Sequence, residues 1–240
     1  MILITRPKEQ SINLKYNLEK KGYNVFQESF YKLQYLKKQI SYDPNIYYIF
    51  PSIHAVKSLK KSNQILKFKN SNMLVIGEQV KKLLKASGCK NIIVITPDSS
   101  AMLKIMSSSK YNKKKYIYLC SNIINEDFFT KAYKKKINIQ KKIVYKTVGV
   151  KNITKKLIES FELNKIKGVV FYSQFSVEIY IKLLAKYKVI TNSKSIKAYC
   201  LSERIAKPLR YKNIDDIYVS KKPDERSLIS TIKKRHFYNR

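Results

Sequence analysis

The sequence predicts an α/β fold. It reads as two similar domains with parallel sheets flanked by helices, joined by a two-stranded hinge, with the N-terminal domain discontinuous. Three observations carry this expectation. Short runs rich in branched and aromatic residues recur along the 240-residue chain. Stretches with apolar residues at helical spacing lie between these runs. Segments also resemble one another at offsets of 121, 125 and 126 residues. Strands alternating with helices imply a parallel sheet covered on both faces.

The elements follow in chain order. "ILIT" at 2–5 reads as a strand that ends on Thr5-Arg6-Pro7, and proline suits the first turn of a helix. Ser11, Leu14 and Leu18 then share a helix face, with Gly22 as the stop. "NVF" at 24–26 is the next strand, and 31–38 reads as extended. Further strands are expected at 47–50, 73–76, 92–96, 116–120, 143–148, 169–173, 196–200 and 216–219. They are short and β-branched or aromatic, as buried parallel strands are. In "EQVKKLLKASG", Val80, Leu83 and Leu84 share a helix face that Gly88 ends. In "SVEIYIKLLAKYK", Val177, Tyr180, Ile181, Leu184 and Ala185 follow the spacing of an amphipathic helix. Asp98 and Asp224 follow prolines in equivalent turns and read as helix caps.

The repeats set the domain organisation. "FPSIHAV" from 50 resembles "FYSQFSV" from 171. "GEQVKKLL" from 77 resembles "SERIAKPL" from 202. The Pro-Asp pairs begin at 97 and 223. The unit starting at Met1 pairs with "YIYLC" at 116–120, the last unit of the middle region and not its first. The expected arrangement is therefore a first domain of residues 1–30 plus 149–240 and an inserted second domain of 39–142. Residues 31–38 and 143–148 are the expected hinge strands. Ligands of open α/β sheets sit at the carboxyl ends of the strands, so two such domains would face a ligand across a hinge.

Composition bounds the partners. The formal net charge is +34, from 50 Lys and Arg against 16 Asp and Glu. Such a field attracts a polyanion, large or small. The lysines are spread along the whole chain together with many Ile, Asn and Tyr, a mixture that also fits AT-rich codon usage. Zinc-finger spacing, an aromatic RNA-binding signature and a basic recognition helix are all missing, so no nucleic-acid partner is expected. No apolar run approaches the roughly 18 residues needed to cross a bilayer, so no membrane is expected either. The apolar run at the N-terminus is four residues long and meets Arg6, which is no signal-peptide pattern. Cys89, Cys120 and Cys200 lack metal or redox spacing and read as small hydrophobes of a cytoplasmic protein. His54 and His236 form no metal motif. His54 reads as a solvent-facing helix position, and the basic tail "KKRHFYNR" as a solvated terminus.

The order of "LITRP", "IFPSIHAV", "VIGEQVKKLLKASG", "VYKT", "VVFYSQFSV", "CLSERIAKPL" and "VSKKPDERSLISTI" resembles the uroporphyrinogen-III synthase family over almost the whole chain. The resemblance implies two α/β domains, the first discontinuous. It implies a lyase of haem biosynthesis that uses no cofactor and no metal. The expected reaction cyclises hydroxymethylbilane, a linear tetrapyrrole, to uroporphyrinogen III, with loss of water and inversion of ring D. As the family chemistry runs, loss of the hydroxyl gives an azafulvene. Ring D then attacks through its substituted carbon, and a spiro intermediate rearranges. Closure without catalysis does not invert ring D, so the protein's task is geometric. Positioning of this kind is worth up to roughly 7–11 kcal/mol in favourable systems.

The candidate residues follow from the substrate's carboxylates and its departing hydroxyl. Carboxylates call for helix N-termini, hydroxyls and a few cations. Thr5 and Arg6 stand at a strand-to-helix turn, where the plainer reading of Arg6 is a surface cation. Ser52 and Ser173 occupy equivalent places after a strand, and either can simply cap a helix. Gly77 and Ser202 form a second equivalent pair, for which a tight turn is the plainer reading. The resemblance points to Tyr145 in "VYKT" as the proton donor, with Thr147 beside it. With 19 tyrosines in the chain, packing is the competing role for Tyr145.

The chain departs from the family pattern at four places. Pro51-Ser52 stands for Thr-Ser, and Val80 stands for Thr. Ser202-Glu203-Arg204-Ile205 stands for Gly-x-x-Thr, and Ser121-Asn122 replaces a nearby Gly. Two other readings stand beside the enzyme: a basic nucleic-acid-binding protein, and a family member that has lost activity. A periplasmic-type binding protein shares the two-domain layout but would need an export signal. A monomer is expected.

Overall fold

The computed structural model describes residues 1–189, 196–212, 214 and 216–235; His236 and the end of the basic tail lie outside them. The chain divides into two units. One is Met1–Lys32 with Val148–Arg240, and the other is Leu33–Thr147.

The first unit holds a five-stranded sheet. Its strands are β1 (Ile2–Ile4), β2 (Val25–Gln27), β9 (Gly168–Phe171), β10 (Lys197–Cys200) and β11 (Ile217–Val219), in the order β11-β10-β9-β1-β2. Every pairing is parallel, with Ile2, Leu3 and Ile4 opposite Val25, Phe26 and Gln27 on one side and Gly168, Val169 and Val170 on the other. β1 is thus internal, and all three of its side chains are fully buried. Side chains alternate across a strand, so the two faces divide the core between them. Leu3, Val169, Phe171, Ala198 and Cys200 pack under α6 (Lys155–Glu162), α7 (Gln174–Lys186) and α8 (Glu203–Arg210). Ile2, Ile4, Val170 and Tyr199 pack against Leu14 and Leu18 of α1 (Ile12–Glu19) and Leu228 and Ile232 of α9 (Glu225–Arg235). Each fully buried aliphatic side chain contributes about 1.5–3 kcal/mol before ordering costs.

The second unit holds a six-stranded sheet in the order β3-β8-β7-β4-β5-β6. Its strands are β3 (Tyr31–Tyr35), β4 (Ile46–Phe50), β5 (Asn72–Ile76), β6 (Ile92–Thr96), β7 (Lys115–Ser121) and β8 (Asn138–Gly149). One face packs Tyr48, Phe50, Met73, Val75 and Leu119 with residues of α2 (Ile53–Lys61) and α3 (Glu78–Ala86). The other packs Ile49, Leu74, Tyr116, Tyr118 and Cys120 with α4 (Ser99–Met106) and α5 (Glu126–Lys134).

The two sheets correspond strand by strand. β2-β1-β9-β10-β11 matches β8-β7-β4-β5-β6, with β3 added at the β8 edge. This is the register of the sequence repeat: β1 answers to β7, and β9, β10 and β11 answer to β4, β5 and β6. The fold class is α/β with two parallel-dominated sheets flanked by helices. Residues 143–148 lie within the twelve-residue β8, and the extended run from 31 is the shorter β3 beside it.

Asp98 and Asp224 cap helices by accepting from Ala101 N (2.8 Å) and Ser227 N (2.7 Å). All three cysteines are buried and free. Burial, the largest cause in each case, pushes the Cys120 thiol up to about 11 and the Cys200 thiol up to about 12. These are core thiols, held in the neutral form. Among the described residues no helix is long and apolar enough to cross a membrane.

Candidate functional site

The candidate residues gather at the carboxyl edge of each sheet, where parallel strands hand over to helix N-termini. In the first unit, neighbouring strands β10, β9 and β1 end at Ser202, Ser173 and Thr5-Arg6. Ser173 caps α7, its hydroxyl accepting from Ser176 N at 3.2 Å. Ser202 holds the equivalent place before α8 in extended backbone, but its hydroxyl makes no cap hydrogen bond.

Arg6 sits in a cage of its own unit. Its guanidinium carbon lies 4.1 Å from the centroid of the Tyr172 ring, and Nη2 donates to Gln10 Oε1 at 3.3 Å. Tyr31 donates to the same Gln10 oxygen at 3.2 Å, and Tyr172 donates to Glu225 Oε2 at 2.9 Å. Burial raises the pKa of the Tyr31 hydroxyl, and the charge of Arg6 partly offsets this. Burial also raises Tyr172, reinforced by Glu225 and opposed by Arg6. Both phenols therefore stay protonated donors. Among the described residues no carboxylate pairs with Arg6, and its Nε is buried with no partner. A buried cation nitrogen without an acceptor is costly unless an anion completes it.

Thr5 behaves differently from the expectation. It is fully buried, and its hydroxyl donates to Val170 O at 2.9 Å. The side chain is spent inside the sheet, tying the end of β1 to β9, and does not present itself to a ligand.

In the second unit the edge runs from β8 through β7 and β4 to β5, ending at Thr147, Ser121-Asn122, Ser52 and Gly77. Ser52 caps α2, its hydroxyl accepting from His54 N at 3.2 Å. Gly77 precedes α3 with φ +92° and ψ 140°, a conformation that L side chains rarely adopt. A Cβ there would meet nothing within 4 Å, so the position is sterically open as well. Thr147 belongs to a network that the sequence reading missed. Its Oγ1 lies 3.1 Å from Ser121 Oγ. Its N–H donates to Asn122 Oδ1 at 2.7 Å, and its carbonyl accepts from Asn122 Nδ2 at 3.3 Å. Asn122 thus reads the backbone of Thr147 as a neighbouring strand would, and holds the end of β8 in place.

Tyr145 is 8% exposed and packs in the core cluster beside α2. Tyr35 and His54 surround it, with ring centroids 6.5 and 5.7 Å from its own. The expectation of a solvent-facing His54 is corrected here. The ring is half-buried, and its Nδ1 lies 3.0 Å from the Tyr35 hydroxyl. An amphipathic pattern on α2 alone could not show this, because the partner comes from β3. Two departures from the family pattern also find a place: Val80 and Ile205 are buried apolar residues that pack in the cores of their units. In this chain those positions serve packing and not polar contact.

The described residues contain no group of three or more His, Cys, Asp or Glu able to hold a metal ion. The chemistry these edges offer is hydrogen-bond donation, a caged arginine and a phenol among aromatic rings.

Comparison with known proteins agrees with this picture. Residues 8–230 match the family described as uroporphyrinogen-III synthase HemD. Among solved structures, the chain is similar to uroporphyrinogen-III synthetase from Helicobacter pylori, with 17% identity and a TM-score of 0.67. That match covers 97% of this chain and 98% of the other. It is also similar to a mutant uroporphyrinogen III synthase from Thermus thermophilus, with 11% identity and a TM-score of 0.60, covering 98% and 97%. At these identities the structures speak for the fold alone. No curated protein matches the chain. The family match spans nearly the whole sequence, and the chain belongs to the uroporphyrinogen-III synthase family, cyclising hydro-lyases of haem biosynthesis.

Proposed function

We infer that this chain carries out its family's reaction, closing hydroxymethylbilane to uroporphyrinogen III with loss of water and inversion of ring D. The observation that carries this reading is the family match over residues 8–230. The structure supplies a chemistry that suits it. A tetrapyrrole bearing many carboxylates needs donors that do not react, and each sheet's carboxyl edge supplies them.

In this reading Arg6 binds one carboxylate, its plane held by the Tyr172 ring and its buried Nε completed by the ligand. Ser202 donates through its hydroxyl. Ser52, Ser173 and Gly77 offer the N–H groups of the helix starts they precede. Thr147, fixed by Asn122, holds substrate near Tyr145. Tyr145 gives its proton to the departing hydroxyl, which leaves as water. A phenol is a weak acid at neutral pH, so its gain comes from being aimed and shielded more than from acidity. Thr5 holds the sheet end from which Arg6 projects. The protein is read as a cytoplasmic monomer that uses no cofactor, with the tetrapyrrole as its only partner and no role for nucleic acid.

The test is to supply freshly made hydroxymethylbilane to the purified protein and to resolve the type I and type III products. Dominant type III supports the reading. A product mixture like the protein-free control sinks it.

A further inference from the structure

The parallel register of β7 against β8 shifts beside Tyr145. Cys120 faces Ile143, and the next residue, Ser121, faces Tyr145, so Val144 is the extra residue of a bulge. As a result, consecutive side chains Val144 and Tyr145 pack into the same core cluster. A regular strand would send them to opposite faces, and a bulge is the usual device for re-aiming one side chain. The re-aimed Tyr145 meets two further polar rings, Tyr35 from β3 and His54 from α2. Those two are joined to each other, with Tyr35 Oη 3.0 Å from His54 Nδ1.

The surroundings favour one protonation state of His54. It is the second residue of α2, at the positive end of the helix dipole, which favours a neutral ring. The Lys61 ammonium lies 4.7 Å over the Tyr35 ring, a further positive charge on the same side. Tyr118 adjoins Tyr145 from within the sheet. Tyr35 and Tyr145 are titratable groups beside His54, with Lys61 beyond the first and Tyr118 beyond the second. A neutral imidazole can accept the Tyr35 hydroxyl proton at Nδ1, and an imidazolium cannot.

We propose that His54 is a positioning residue for Tyr145: neutral, it accepts from Tyr35 at Nδ1, and the joined rings hold the Tyr145 phenol in line with the departing hydroxyl. This rests on the reading of Tyr145 as proton donor. In the step it serves, the Tyr145 O–H bond breaks and its proton goes to the leaving oxygen. The carbon–oxygen bond breaks with its electron pair going to the water formed. The proton released as the macrocycle closes returns to the Tyr145 phenolate, so nothing is oxidised or reduced. Protonating His54 fills Nδ1, removes the acceptor and loosens the trio. Turnover then falls as the ring takes up a proton.

The experiment measures kcat and KM from about pH 5 to about pH 8.5, a range that brackets imidazole titration. It compares the wild type with His54→Phe, His54→Asn and Tyr145→Phe, each checked for folding by circular dichroism. His54→Phe keeps a ring but loses the acceptor; it should lower kcat about tenfold with KM unchanged, as misplacement of a reacting group does. His54→Asn keeps an acceptor near the Nδ1 position and cannot take a proton. It should retain kcat within about threefold at neutral pH and flatten the acid limb seen in the wild type. Wild-type kcat and pH profile in a folded His54→Phe would overturn the proposal, as would an acid limb that persists in His54→Asn. Should the Phe variant fail to fold, the Asn profile decides alone. A slow Tyr145→Phe beside an unaltered His54→Phe removes the His54 proposal only. A Tyr145→Phe enzyme at wild-type rate removes the donor reading and the His54 proposal with it.

Discussion

The guanidinium carbon of Arg6 lies over the ring of Tyr172, 4.1 Å from its centroid, while the hydroxyl of the same ring donates to Glu225 at 2.9 Å. The cation and the acid are therefore held by one aromatic side chain and do not neutralise each other. Among the described residues no carboxylate pairs with Arg6.

Removing the charge and removing its platform should have graded effects. Arg6→Ala loses a charge-assisted contact worth about 1.5–3 kcal/mol, so KM should rise roughly tenfold to a hundredfold, with little change in kcat. Tyr172→Leu removes the stack, worth about 1 kcal/mol, and should raise KM about fivefold. Tyr172→Phe keeps the stack and should cost the least of the three. Steady-state kinetics on folded variants checks the series. An Arg6→Ala enzyme with unchanged kcat/KM would end the role given to Arg6.

Thr5 separates a structural hydroxyl from a ligand hydroxyl. Thr5→Val preserves shape and removes only the donor to Val170 O. Stability should fall by about 1 kcal/mol, the net worth of such a bond, while KM stays within error. Chemical denaturation and kinetics on the same sample test both halves. A raised KM with unchanged stability would return Thr5 to the binding surface.

Gly77 makes a separate prediction. The open space around a built Cβ means that Gly77→Ala meets no clash, so any loss comes from the backbone at φ +92°. The cost should be about 1–3 kcal/mol, read as a lower denaturation midpoint. A neutral substitution would show that this turn accepts an ordinary φ, and with it that glycine is not required there.

Much of the fold could be read from residue pattern because its signals are local. β-branched and aromatic runs bounded by Pro51-Ser52, Gly77, Pro97-Asp98 and Pro223-Asp224 mark strand ends without knowledge of partners. The repeat added the match of Met1 to residue 116, and the structure puts β1 and β7 at equivalent inner positions of their sheets. The site was less legible wherever a side chain answers to a residue far away in sequence. Thr5 looks like a ligand until Val170, 165 residues on, takes its hydroxyl. His54 looks exposed on a short helix until β3 brings Tyr35 to it. The bond between Asn122 and Thr147 depends on the register of β7 against β8, which neither strand encodes alone. Tyr145 stands out in the sequence only by family likeness, and the bulge that aims it has no signature in "VYKT".

The most direct test of the central claim is the isomer composition of the product formed from fresh hydroxymethylbilane. The account predicts type III in large excess, with only the protein-free control giving type I. Type I from both reactions would contradict it, since the chain would then neither hold the tetrapyrrole nor turn ring D.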